Sequence, residues 1–478
     1  MFTEIKDVLA FIKHNSIAYI DLKYCDLFGT WHHITLPVSA FNAKTITEGI
    51  GFDASSTPGF KSVESGDMVL IPDLSSGFLD PFWDLPTLSF ICDIAEADTR
   101  QRFERDPRYI AQQAEAYLQK TGIASECRWG PEFEYYIFDH VDFRNDPYYT
   151  FFKVESEEAI WCNYTNGGTR SGYQIADHHG YHAMPPQDVL HNIRSATIKT
   201  MEECGIPVRY HHHEVGSSGQ VEIEVMMGSL TRMADVVMLV KYIAKMVARK
   251  FSKTATFMPK PLYKEAGSGM HFHQHLFKDG QPLFYARDGY GGLSKLALSY
   301  VAGLLKHAPA LTALTNPSTN SYRRLVPGYE APVNLFFSLA NRSSAVRIPK
   351  YATAPGEKRI ELRTPDATCN PYLAMAAMLL AGIDGIQNEL DITKEGFGPY
   401  DVNLFAPENE EIRRSIKAVP DSLDKALYHL QQDHAFLTQS NIFRPEIIAT
   451  WVKEKYEREY LENRNRPTPY EFQLYYGV

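Results

Sequence analysis

The sequence is short of several things, and each shortage removes a class of protein. Cysteine is one. Only six occur in 478 residues (Cys25, Cys92, Cys127, Cys162, Cys204 and Cys369), and no two form a CxxC pair. That argues against a disulfide framework or a cysteine zinc site and fits a reduced, cytoplasmic protein. Long apolar runs are missing too. The most apolar stretch, AMAAMLLAGI, is too short to span a membrane and reads as a buried helix. The opening MFTEIKDVLAFIKHN lacks the uninterrupted apolar segment of a signal peptide. Positive charge is in deficit: 48 Lys and Arg against 58 Asp and Glu leave a net charge of -10. This disfavours a nucleic-acid or membrane-surface binder, while leaving room for a local basic site. No GxxxxGK[ST] occurs, so any phosphate chemistry proceeds without a P-loop.

What is present points to a two-domain α+β protein. The apolar fraction of 44% is ordinary for a globular chain, but the length is large for one core. Thr3 is placed to cap a first helix with Ile5, Val8, Leu9 and Ile12 on one face. IAYIDLKY and WHHITLP read as strands around the turn DLFGT, and MVLIPD and TLSFICDI as two more. Residues 1–103 therefore form a small, mainly β domain, and 104–478 a larger mixed one. The second opens at Asp106-Pro107, a cap followed by a first-turn proline. Residues 139–190, rich in Tyr, Asn, Gly and His, read as a long irregular excursion. The aromatic end, RPTPYEFQLYYGV, is a tail that docks against something.

Chemistry enters with GSGMHFHQHLF. His271, His273 and His275 share one strand face, which taken alone suggests zinc. Carboxylates shift the balance. Glu132 and Glu134 share a strand face in WGPEFEYYIFD; alone, the pair reads as a solvated strand edge. YHHHEVGSSGQVEIEV reads as a hairpin that brings Glu214 towards Glu222, and its consecutive histidines alternate faces. In RIELRTPD, Glu361 lies between Arg359 and Arg363, a common structural ion pair. Together, five glutamates and one histidine make a hard ligand set suited to Mg²⁺ or Mn²⁺. Six arginines (Arg323, Arg324, Arg342, Arg347, Arg359 and Arg363) fall within one stretch. Guanidinium forks match carboxylates and phosphates, so metals plus arginines suggest phosphoryl transfer. Surface ion pairing is the plainer reading of those arginines.

These motifs resemble the glutamine synthetase family, specifically its bacterial type I members. The resemblance runs through FDASS, DMVLIPD, GPEFE, HHHEVGSSGQVE, FMPKP, GSGMHFH, RLVPGYEAPV, NRSSAVRIP, RIELRTPDATCNPY and EFQLYY. It implies an N-terminal β-grasp domain (1–103) and a catalytic domain (104–478) built on a curved antiparallel sheet with flanking helices. It also implies a homododecamer of two hexameric rings, with active sites shared between neighbouring subunits and the tail locking the rings.

The activity implied is ATP-dependent ligation of ammonia to glutamate, with two or more Mg²⁺ or Mn²⁺ per subunit and ATP as substrate. By motif, Glu134, Glu214 and Glu222 hold one metal and Glu132, His271 and Glu361 the second. Gly267, Arg324 and Arg363 meet glutamate; Arg342 and Arg347 meet the transferring phosphoryl group; His273, His275 and Arg359 lie towards ATP. Asp53, otherwise an Asx-turn residue, deprotonates ammonium from the neighbouring subunit. Glu330 lies on a flap that closes over the intermediate, touches glutamate and accepts a proton.

Ala266, Arg209 and Gly356 depart from the family pattern. Phe405 stands where some members carry a modified tyrosine, so control by that modification is not expected there. Three rival readings remain: a glutamate ligase for another amine such as a polyamine, a non-catalytic relative, and the zinc hydrolase suggested by HxHxH.

Overall fold

The strand Tyr19–Cys25 sets the plan of the small domain. It pairs antiparallel with Trp31–Pro37 through the DLFGT turn and parallel with Thr87–Glu96. The sheet continues through Asp67–Pro72 to Ile50–Asp53, with Phe78–Asp80 also against Thr87–Glu96. Even the polar residues of the central strand are buried, because the large domain covers that face. Lys23 is bonded to Asp21, lies 3.5 Å from Asp80, and sits over the rings of Trp31 and Tyr242. The computed structural model describes residues 2–161, 172–327, 331–402, 404, 406–439 and 441–478. The first helix begins one residue later than the expected cap. It spans Ile5–His14 behind Glu4, and no side chain caps it.

The expected capped helix is present: Asp106 caps Pro107–Thr121 by accepting from the Arg108 amide at 3.0 Å. Among the described residues the sheet of the large domain has nine strands and curls around the site. The main path runs Val208–His213, Gln220–Val225, Glu126–Phe138, Met270–Lys278, Ile360–Leu362, Ser344–Ile348 and Asn334–Leu339. Every neighbouring pair on that path is antiparallel except the last, which is parallel.

Helices back this sheet. The AMAAMLLAGI stretch lies in Pro371–Gln387, a helix buried on nearly all sides, so its apolar residues show no single stripe. It packs on Lys295–Thr315 so closely that a Cβ on Gly303 would fall 2.1 Å from the Ala381 carbonyl oxygen. A Cβ on Gly385 would fall 2.2 Å from that of Ser299. One buried guanidinium ties the domains together alongside bonds such as Tyr242 to Asp80 and Asn370 to the Asp26 carbonyl. Arg108 reaches Asp73 at 2.5 Å and Asp93 at 2.6 Å in the small domain, and Asp235 at 3.0 Å in the large one.

Two segments stand away from this core. In the 139–190 excursion, His140–Asp146 and Tyr149–Glu155 form a hairpin with Phe143, Tyr148 and Phe152 exposed. The tail ends in a short helix, Pro469–Tyr475, closed by a Thr468–Glu471 capping box. Its Phe472 and Tyr476 remain exposed, so within one chain the tail has no dock for these rings.

Candidate active site

Sheet register alone brings most of the expected residues into one row. Glu134 lies opposite Glu222, Glu132 opposite His271, His273 opposite Glu361, and Glu361 opposite Arg347. Cross-strand partners share a face, so these side chains converge on the concave side. Glu214, at the end of Val208–His213, joins them through the SSG turn.

At one end the acids are already paired. His271 Nδ1 is 3.1 Å from Glu132 and 3.5 Å from Glu361, and its Nε2 is 3.6 Å from Glu134. His273 Nε2 is 2.7 Å from Glu132. Arg359 Nε donates to His273 Nδ1 at 3.3 Å. That nitrogen must therefore accept, and Nε2 carries the hydrogen towards Glu132. Glu361 takes Arg347 at 2.8 Å and Arg363 at 3.2 Å. Burial pushes the Glu132 carboxyl up, but His273 and His271 outweigh it and hold it well below the usual range. Glu361 is likewise lowered: burial and Glu132 oppose ionisation, while Arg363, His273 and His271 prevail.

The other end has a surplus of negative charge. Glu214 is pushed up to about 9, by burial first and then by Glu222 and Glu134. Glu222 is raised well above its ordinary value by burial and by Glu132 and Glu134. Glu214 Oε2 is buried with no hydrogen-bond partner. His212 adds a nitrogen to this group, 3.6 Å from Glu214 and 3.5 Å from Glu222. Donor atoms of Glu132, His271 and Glu361 lie within 4.8 Å of one another, as do those of His212, Glu214 and Glu222. Buried like charges with open oxygens need either protons or an external cation, and an oxygen-rich set of this kind suits a hard divalent metal. Glu134 stands between the groups, with Oε2 held by the Gly269 amide at 2.7 Å.

Above the acids lies a cavity of about 840 Å³. Its walls include Gly267, Arg324, Arg342, Arg347 and Arg363. Arg324 is fixed by the carbonyls of Thr364 at 2.7 Å and Arg363 at 3.0 Å, and burial lowers its pKa. Arg347 Nε is buried without a partner. Among the wall residues not expected from the sequence are His178, Tyr181, His182 and His212. Tyr181 stacks on His182 at 4.0 Å, His182 meets His212 at 4.6 Å, and Arg342 lies over Tyr181 at 5.5 Å. The available signal was the run HHGYH within the long Tyr- and His-rich excursion.

Other expected residues lie outside the cavity wall. His273 and Arg359 are buried behind Glu132. His275 sits against the rings of Phe277 at 4.2 Å and Phe284 at 5.4 Å. Burial, then Arg128 and Arg359, drops its pKa to about 3, and its Nε2 has no partner. The three imidazoles of HxHxH thus do not meet at one point, as a three-histidine zinc site requires. Asp53 is exposed in the small domain, accepting from the Ser55 amide at 2.9 Å as an Asx turn. Glu330 and Phe405 lie outside the described residues.

A family model described as the glutamine synthetase catalytic domain matches residues 104–475, and one for the glutamine synthetase β-grasp domain matches 16–97. The chain belongs to the glutamine synthetase family. It is 46% identical over the full length of both chains to the glutamine synthetase of Frankia alni, and 46% identical to that of Aquifex aeolicus across 99% of each. The solved glutamine synthetase of Plasmodium falciparum superposes with a TM-score of 0.90 at 30% identity, over 99% of each chain. The GmaS/ADP complex superposes at 0.81 and 25% identity over all of both chains. Sheet, helices and small domain accord with the glutamine synthetase fold.

Of the departures from the family pattern, only Arg209 has a side-chain partner that accounts for it. Arg209 pairs with the buried Glu224 at 2.6 Å. The Ala266 carbonyl accepts from the Tyr136 hydroxyl at 2.7 Å. A side chain on Gly356 would meet open space.

Proposed function

We propose that this chain makes glutamine from glutamate, ammonia and ATP. The observation that carries the reading is a cavity with two carboxylate-rich metal-binding groups on its floor and four arginines on its wall. The uncatalysed difficulty is plain: glutamate's γ-carboxylate is anionic and lacks a leaving group. Its oxygen attacks the γ-phosphorus of ATP, giving γ-glutamyl phosphate and ADP. Ammonia then attacks the carbonyl carbon, phosphate departs, and the nitrogen loses a proton.

Bound Mg²⁺ or Mn²⁺, two or more per subunit, supplies positive charge that offsets the phosphate oxygens. Glu134, Glu214 and Glu222 would hold one such ion, with His212 beside them, and Glu132, His271 and Glu361 the other. Arg324, Arg363 and the Gly267 backbone orient glutamate. Arg342 and Arg347 face the transferring phosphoryl group, where preorganised donors lower the barrier most. His273, His275 and Arg359 brace the ATP side. Glu330 would exclude water and accept a proton from the tetrahedral adduct.

Asp53 would hold ammonium and take its proton, reaching a neighbour's cavity. Its exposure outside its own cavity supports this arrangement, as do the undocked tail rings. We therefore read the functional form as a cytoplasmic dodecamer of two hexameric rings. The domain division at residues 103 and 104 follows the same reading. Among the described residues no helix is long and apolar enough to cross a membrane.

The test is phosphate release by the purified protein with ATP, Mg²⁺ and glutamate while the amine is varied. Release that requires ammonium and yields glutamine supports the reading. Release only with an organic amine moves the function to the related ligase. No release with any amine overturns ligase activity.

A further inference from the structure

We propose that Gln220 is a positioning residue that couples the carboxylate group at Glu214 and Glu222 to the loop that receives glutamate. The inference rests on the function proposed above and adds a cavity-lining residue to which that scheme assigns no metal or substrate contact.

Gln220 is fully buried at the start of the strand Gln220–Val225, two residues before Glu222. Its amide spans two separate segments. Oε1 accepts from the Gly216 amide at 2.8 Å, inside the turn that joins Glu214 to Glu222. Nε2 donates to the Gly267 carbonyl at 2.9 Å and to Ser268 Oγ at 3.2 Å. Both amide hydrogens and one oxygen lone pair are used, so the side chain has a single orientation that satisfies its surroundings. Neither hydrophobic nor ionic substitution reproduces that set.

The loop it grips has little freedom of its own. A Cβ on Gly267 would fall 2.7 Å from Arg324 Cγ, and one on Gly269 2.5 Å from Arg324 Nη2 and 2.8 Å from His271 Nε2. The loop therefore rests directly on a glutamate-side arginine and a metal-side histidine. A second tie runs parallel to the first. Ser217 donates to Glu265 through its amide at 3.2 Å and its hydroxyl at 2.7 Å. Hairpin turn and loop are thus pinned at two points, both buried.

The consequence is energetic coupling. When a cation draws Glu214 and Glu222 together, the turn between them is fixed, and Gln220 passes that constraint to the Gly267 carbonyl. Linkage makes the effect reciprocal: glutamate must tighten metal binding by the factor by which metal tightens glutamate binding. Cutting the Gln220 link removes the factor without removing a ligand.

The experiment uses the full-length protein and Gln220→Met, which keeps the volume and deletes the hydrogen bonds. Mn²⁺ binding is followed by electron paramagnetic resonance with and without glutamate. Wild type is expected to bind Mn²⁺ more tightly with glutamate present, and the variant to show little such enhancement. In steady state the variant's KM for glutamate should rise about tenfold, the scale of losing buried hydrogen bonds, while its KM for ATP stays within about twofold. Ser217→Ala, a milder cut of the parallel tie, should show the same split to a smaller degree and covers the case in which Gln220→Met does not fold. A variant that keeps the full glutamate enhancement of Mn²⁺ binding, or loses glutamate and ATP affinity equally, overturns the coupling role. Absence of any glutamate effect in wild type would instead count against the glutamate site itself.

Discussion

His271 Nδ1 lies 3.1 Å from Glu132 Oε2, from directly opposite positions on adjacent antiparallel strands. The imidazole spans the gap to Glu134 as well, with its other nitrogen 3.6 Å away. Replacing His271 by alanine should lower ATP-dependent phosphate release by at least about a hundredfold, the scale of losing an electrostatic anchor in an active site. The thermal midpoint should change by only a few degrees. Phosphate release and a melting curve on the same preparation check this; an active variant would remove His271 from the metal group.

Metal removal gives a second expectation. Burial, then Glu222 and Glu134, raise the Glu214 pKa to about 9, which favours its protonated form when no cation is bound. Chelation should therefore abolish turnover while leaving the fold intact, since protons replace the lost charge. Added Mg²⁺ or Mn²⁺ should restore turnover. Recovery with Zn²⁺ but with neither of these ions would revive the three-histidine reading.

The register that makes the site was partly legible in the sequence. E-x-E, the HHHE hairpin and R-I-E-L-R each display a period of two, and period two fixes which side chains share a face. Which strand lies beside which is set by long-range pairing, and that local pattern is silent on it. His212 shows the limit. Its neighbours His211 and His213 turn away, to Arg194 and to Glu158 respectively, and three equal letters in a row gave no hint which one faces the acids. Tyr181 and His182 were hidden for another reason: they belong to an irregular segment whose course is determined by packing on the 213–215 turn, where Gly180 donates to the Val215 carbonyl at 3.2 Å. Thr3 looked like a cap by chemistry, but the helix begins one residue further on, where the side chain at the cap position is Glu4.

A pH dependence of stability follows from His307. Its ring nitrogens lie 3.0 Å from Asp384 and 2.8 Å from Asp433, and the ring stacks on Phe436. Burial alone would lower the imidazole pKa, but the two carboxylates raise it. His307 then adds stability that is complete below about pH 6.5 and is lost as pH rises through the raised value. Asp384, lowered chiefly by its bond to His307, adds stability above about pH 4 that is lost as pH falls. Urea unfolding of wild type and His307→Gln across this range should show the largest difference between about pH 4 and 6.5 and a smaller one at pH 9. A difference that grows towards alkaline pH would contradict the assignment.

The proposed sharing of sites between subunits makes a mixing prediction. Asp53→Ala and Glu361→Ala proteins should each be nearly inactive. Dissociated and reassembled together, they should regain part of the wild-type rate, because one kind of subunit pair then contains both an intact Asp53 and an intact Glu361. No recovery in mixtures that demonstrably co-assemble would place Asp53 outside the neighbour's site.

Arg108 offers a test of the domain junction. Arg108→Met would leave Asp73, Asp93 and the buried Asp235 facing one another without their common cation, a loss on the order of 3–5 kcal/mol. Chemical unfolding should shift accordingly, with the small domain becoming sensitive to protease near residues 97–105.

The Arg108 guanidinium also bears on manufacturing tolerance. In the proposed dodecamer, any angular play within one copy would accumulate around a ring of six. Asp73 and Asp93 hold the small domain through the same rigid fork that grips Asp235 at the back of the large one. The small domain that carries Asp53 is thereby fixed against its own subunit's core, so in the proposed assembly its aim at a neighbour would be set before two subunits meet.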